Sequence, residues 1–301
     1  MRLYPDPRPG HVRLAFGAAI CLAGALVLLD KLLIMLAGLP LPAQQALTGG
    51  LWAAAATAAG TLPMLLPGAF SQRCYDAALG LGGGIMLAAT SFSLVLPALS
   101  ASRASGAGPF SASMTVGGGI MLGMLLVMLL GHLVQSERVL EHGREHGRAD
   151  EGPSATTRAW LFVTAVAIHN LPEGVAIGVG YGGVDLAKAH TLAMGIAIQD
   201  IPEGLVVALA LRGVGYGRCY AAALGAVSGL VEPLAAVAGA LLIEASTTFL
   251  PWGLAGAAGA MLYVICHDVV PEAQRRGHCN IASSALVVGF IVMMVLDTAL
   301  S

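Results

Sequence analysis

The sequence predicts an all-α polytopic membrane protein, and three observations carry that reading. Of 301 residues, 57% are hydrophobic and only 11% charged, with a mean hydropathy of +0.80; about a quarter of a soluble domain is charged. Nine stretches are apolar over the roughly 20 residues that a helix needs to cross a hydrocarbon core. They run at 12–37, 46–69, 77–100, 114–134, 158–181, 190–212, 219–245, 252–272 and 282–300. With the N-terminus inside and the C-terminus outside, twelve Lys and Arg residues fall in inner connections and three (Lys31, Arg103, Lys188) in outer ones, the bias of the positive-inside rule.

Taken in order, the first stretch follows Arg2, Arg8 and Arg13 and continues through Asp30 and Lys31, longer than a signal-peptide core. It predicts a retained helix, so that 1–45 forms a cytoplasmic N-terminus and an extra transmembrane helix ahead of a domain at 46–301. The second to fourth are rich in Gly and Ala, as in "LGLGGGIMLAA" (79–89). Small residues let helices approach closely where no hydrophobic effect drives them together. The fourth ends at His132 and opens into the one long polar connection, 135–157, where "EHGREHGR" carries His142 and His146. A solvated cytoplasmic loop with weak metal capture is expected there. The fifth to eighth carry the motifs discussed next, and the ninth has Asp297 as its one ionisable residue. Asp30 and Asp297 lie toward outer helix ends and receive no role. The five cysteines show no paired spacing, so no disulfide framework is implied, and 5% aromatic content argues against stacking platforms.

Four carboxylates, Glu173, Asp200, Glu203 and Glu232, fall about 15–20 Å from a membrane surface at 1.5 Å rise per residue. No Lys or Arg occupies the interiors of those helices. A charged side chain at the bilayer centre costs roughly 2.5–3.5 kcal/mol on insertion scales. Four without a basic partner must be protonated, hydrated or neutralised by a cation. On a helix His169 and Glu173, like Gln199 and Glu203, are i and i+4, while Asn170 and Glu173, like Asp200 and Glu203, are i and i+3. Each set therefore lines one face. Pro172, Pro202 and Pro233 release the carbonyls of Ile168, Ile198 and Gly229 from the helical ladder, which lipid tolerates only beside a protein-buried or hydrated site. A lone intramembrane His is more often packing than ligand, but His, Asn and Glu echoed by Gln, Asp and Glu one helix later is hard to obtain as packing. His with carboxylates suits zinc, with Fe2+, Mn2+, Co2+, Ni2+ or Cd2+ as alternatives; calcium and magnesium prefer all-oxygen shells. Two ions bridged by carboxylates are sterically feasible. The eighth stretch repeats the theme in "YVICHDVVPEAQ" (263–274), placing His267, Asp268 and Glu272 toward the cytoplasm, and His132 is a further pathway residue.

"HNLPEG" (169–174), "QDIPEG" (199–204), "EP" (232–233) and "HDVVPE" (267–272) resemble the ZIP (ZRT/IRT-like) metal transporters, most closely their bacterial branch, from about residue 46 onward. The resemblance implies an eight-helix core with an inverted repeat, nine helices in all with the extra one, a binuclear site, a homodimer, and elevator-like metal movement into the cytoplasm. It also implies one ion held by His169, Glu173, Gln199, Asp200 and Glu203 with Met86, and a second by Asn170, Glu173, Asp200, Glu203 and Glu232. Ser93 resembles an entrance residue, and His267, Asp268 and Glu272 an exit path. Expected partners are the lipid bilayer and divalent metal ions, with no nucleic acid, in a bacterial-type inner membrane. The rivals are an intramembrane metalloprotease, which needs an HExxH box that is absent here, and a proton-coupled solute carrier, which would show basic or aromatic recognition groups. A selective channel is the alternative mechanism for the same cation.

Overall fold

A computed structural model describes residues 8–66, 71–146, 155–183, 185–275 and 277–300. Among the described residues there is no strand, and nine helical rods follow one another. They are α1 (Arg8–Ala37), α2 (Leu41–Thr61), α3 (Gln72–Ala104), α4 (Pro109–His146), α5 (Ala155–Gly182), α6 (Leu186–Gly213), α7 (Arg218–Ala245), α8 (Thr247–Gln274) and α9 (Cys279–Leu300). Six of them (α3, α4 over Pro109–Leu133, α6, α7, α8 and α9 over Cys279–Ala299) are long and apolar enough to cross a bilayer. The molecule is a polytopic membrane protein.

Local chemistry sets the boundaries. α2 starts five residues before the expected apolar stretch because Pro42 suits the first helical turn. It stops at Thr61, where Pro63 turns the chain into a short 3-10 segment, Leu62–Leu65. Gly106 and Gly215, at φ +92° and +100°, close the turns after α3 and α6. The expected polar loop 135–157 is helical at both ends: α4 runs on through "QSERVLEH" to His146, a run with good helix formers in Glu137, Arg138, Leu140 and Glu141. The side chains of His142 and His146 lie outside the described residues.

Three rods are interrupted, each next to a proline. α3 widens into a π turn at Thr90–Val95 just before Pro97, and α8 does the same at Ile265–Val269 before Pro271. Proline cannot donate to the carbonyl four residues back, here that of Ser93 or His267, and the widened turn absorbs the mismatch. α7 breaks at Gly229 and Leu230, ahead of Glu232 and Pro233. α5 and α6 instead run continuously past Pro172 and Pro202.

Helices α2, α5, α6 and α7 pack into one four-helix group, and α3, α4, α8 and α9 into another; the groups meet mainly along α3 with α6 and α5 with α8. Within each group backbones touch through glycine. A Cβ on Gly60 would strike Ile201 O, on Gly204 Thr57 O, on Gly84 Leu286 O and on Gly123 Gly256 O. α1 stands outside both groups, with Phe16, Leu22 and Ile34 exposed.

Candidate metal site

The site forms where α5 and α6 run side by side and α7 breaks against them. Ligand oxygens of Glu173, Asp200 and Glu203 all lie within 4.8 Å of one another. Glu173 is 0% exposed, Asp200 1% and Glu232 0%, and Asp200 sits among Glu173, Glu203 and Glu232. Among the described residues no Lys or Arg forms an ion pair with any of the four. The expected spacing holds: each Pro-Glu-Gly turn presents its glutamate inward, because the glycine after it lets the next backbone close in. Gly174 abuts Glu232 O of α7, and Gly204 abuts Thr57 O of α2.

Hydrogen bonds orient these groups in one sense. Gln199 Nε2 donates to Glu173 Oε1 at 2.6 Å. Asn170 Nδ2 donates to Glu232 Oε1 and to Ser228 O, both at 3.2 Å. Each amide directs its NH2 at a neighbour and leaves its oxygen open. Among the described residues the buried side-chain atoms with no hydrogen-bond partner are Asn170 Oδ1, Glu173 Oε2, Gln199 Oε1, both Asp200 oxygens and Glu232 Oε2. All six are acceptors, and all belong to predicted ligands. A buried polar atom without a partner costs about 1–3 kcal/mol, more when charged. Six such acceptors on neighbouring residues fit a cation, which satisfies several oxygens at once.

Around this centre the predicted residues divide by position. His169 points across the group boundary, with Nε2 3.1 Å from Asp268 Oδ2 of α8, while also facing Glu203. A cavity of about 60 Å³ brings Met86, His169, Gln199, Glu203, Asp268 and Glu272 together. A second, of about 190 Å³, shares His169 and Asp268 with it and is also lined by His132 and His267; His267 stacks on Tyr263. Glu272 accepts from Arg275 Nη1 at 3.1 Å. Ser93 is separate from these, lining a third cavity of about 470 Å³ with Lys188 and Asp185.

Two further polar residues contact predicted ones. Asp297, left without a role, is buried on α9 and accepts a short hydrogen bond from Ser93 Oγ. A carboxyl inside an apolar helix was signal enough. Thr57 of α2, whose hydroxyl lies 3.2 Å from Glu232 Oε1, gave none.

Fold and site together define a polytopic helical membrane protein whose buried acidic cluster fits a metal site. The comparisons say which: residues 135–297 match the family model "ZIP Zinc transporter", and the chain belongs to the ZIP family. It is 40% identical to zinc transporter GufA of Myxococcus xanthus, covering 84% of this chain and 98% of that one. It is 42% identical to zinc transporter ZIPB of Bordetella bronchiseptica (85% and 81%) and 34% identical to zinc transporter ZIP11 of Homo sapiens (85% and 97%). These are transporters, not enzymes, so the protease reading is set aside.

Proposed function

We propose that the protein carries divalent transition-metal cations, zinc foremost, across a bacterial-type inner membrane into the cytoplasm. One observation carries this reading: among the described residues six buried acceptor oxygens from α5, α6 and α7 have no donor, and they belong to residues around the Glu173–Asp200–Glu203 cluster, with which no Lys or Arg pairs. The relatives named zinc transporters agree with it. Fe2+, Mn2+, Co2+, Ni2+ and Cd2+ are the competing cargoes.

Two ions share the cluster, bridged by Glu173, Asp200 and Glu203: one toward His169, Gln199 and Met86, the other toward Asn170 and Glu232. The route begins at the large cavity above Ser93 and Asp297. It leaves through the cavities holding His169, His132, His267, Asp268 and Glu272. All nine rods cross the membrane with the N-terminus inside, and two copies associate. The helical stretch before residue 146 leads to His142 and His146, which add weak capture of metal on the cytoplasmic side.

An inverted repeat fits the packing. Exchanging α2 with α7, α3 with α8, α4 with α9 and α5 with α6 converts the α3–α9 contact into α8–α4 and the α5–α7 contact into α6–α2, and all four occur. Motion of one group against the other fits the glycines. Close approaches of a glycine to a neighbouring backbone stay inside a group. Across the boundary Gly195 meets the thioether of Met293 and Gly253 the side chain of Val179, contacts that slide rather than lock.

The test is radiolabelled zinc uptake into proteoliposomes, with cold metals as competitors and Glu173→Ala and Glu203→Ala alongside. Saturable uptake that collapses in both folded variants is expected; wild-type vesicles that bind zinc yet accumulate none would overturn transport.

A further inference from the structure

We infer that Thr57 is the α2 member of the metal site, a positioning residue that holds Glu232 with Oε2 turned to the ions. This rests on the two-ion reading given above. Thr57 is 1% exposed, and its Oγ1 lies 3.2 Å from Glu232 Oε1 and 3.2 Å from Ala53 O. The hydroxyl lies within reach of both acceptors, and with an ion bound the Glu232 carboxylate would be ionised and the stronger of the two. Asn170 Nδ2 supplies a second donor to the same oxygen. Glu232 Oε1 is thereby satisfied, while Oε2 stays buried without a partner. The pair of donors fixes which carboxylate oxygen points at the cluster and prevents the group from turning.

The backbone around Thr57 is cleared for this contact. A Cβ on Gly229, one turn before Glu232, would sit 2.8 Å from Thr57 Cβ and 3.0 Å from its Oγ1; a Cβ on Gly204 would strike Thr57 O. The two Pro-Glu-Gly turns then make matching contacts, Gly174 on Glu232 of α7 and Gly204 on Thr57 of α2. Exchanging the two halves puts Thr57 where Glu232 stands. One half offers a carboxylate, and the other the hydroxyl that orients it.

The measurement is equilibrium binding of radiolabelled zinc to the purified, metal-stripped full chain, comparing wild type with Thr57→Val, Thr57→Ala, Thr57→Ser and Glu232→Gln. The expected wild-type result is two ions. Partners that orient a metal ligand change affinity about 10- to 100-fold. Thr57→Val and Thr57→Ala should weaken one ion at least about tenfold, the ion that Glu232→Gln weakens, and leave the other unchanged. Thr57→Ser, which keeps the hydroxyl, should bind both ions nearly as wild type does. The alanine variant adds no volume, so it covers a failure of the valine variant to fold. Wild-type affinities in Thr57→Val and Thr57→Ala, or a serine variant as weak as they are, would overturn the assignment. A wild type that binds a single ion would bring down the two-ion reading and, with it, this role for Thr57.

Discussion

Glu173 stands where the interactions of the site cross: it accepts from Gln199, lies against Asp200 and Glu203, and keeps one oxygen open. On the proposed function Glu173 is a metal ligand, and Glu173→Gln keeps the shape but would aim a donor at the ion. Loss of a ligand costs at least as much as loss of a partner behind it, so zinc uptake should fall about 100-fold or more, with retention on a sizing column as the folding check. Asp297 separates binding from access. It pairs with Ser93, which lines the third cavity. Asp297→Ala should therefore slow zinc uptake while equilibrium zinc binding stays at the wild-type value; a parallel loss of binding would place Asp297 in the cluster instead. The contrast between these residues shows what one chain's sequence reveals. His169, Asn170 and Glu173 advertise themselves through spacing on a single helix. Ser93 and Asp297 are 204 positions apart and Thr57 and Glu232 are 175 apart, and no local period links them.

At the level of the helix, two kinds of small residue do different work. Gly84 faces Leu286 O, a backbone atom of α9 that cannot step aside, whereas Gly82 faces the ring of Pro202 at an ordinary 3.4 Å. Gly84→Ala should destabilise the folded protein by about 1–3 kcal/mol, as overpacking does, and lower its melting midpoint in detergent; Gly82→Ala should leave that midpoint near wild type. Equal midpoints would mean that the α3–α9 contact gives way more easily than its backbone geometry says. Glycine content by itself announced close packing without saying which glycines touch backbone. That depends on rotation of each helix about its axis, which a nearly uniform apolar surface does not encode. The proline positions were legible, but their effects differed. Pro172 and Pro202 sit in continuous helix while Pro97 and Pro271 follow π turns, because neighbouring packing decides how a missing hydrogen bond is absorbed.

For the whole molecule, the division into two groups predicts a mechanical asymmetry. Val179 of α5 and Gly253 of α8 face each other across the boundary, where a Cβ on Gly253 would lie 3.0 Å from Val179 Cγ2. Thr61 of α2 and Gly225 of α7 make a similar contact inside one group, with a Cβ on Gly225 2.9 Å from Thr61 Cγ2. With Cγ2 one bond beyond Cβ, each pair of Cβ atoms lies no more than about 4.5 Å apart, within the span of a disulfide. Cys21, Cys74, Cys219, Cys266 and Cys279 are all free and exposed, so the pairs belong in a background with those five replaced by serine. If α2, α5, α6 and α7 move as one body past the other four, oxidising Val179→Cys/Gly253→Cys should stop zinc uptake and a reductant should restore it. Oxidising Thr61→Cys/Gly225→Cys should leave uptake intact, since it ties together helices that already travel together. Full uptake through a quantitatively oxidised boundary pair would exclude relative motion at that contact and favour a fixed pore through the same carboxylates. Arrest by the internal pair alone would place the moving boundary between α2 and α7 instead.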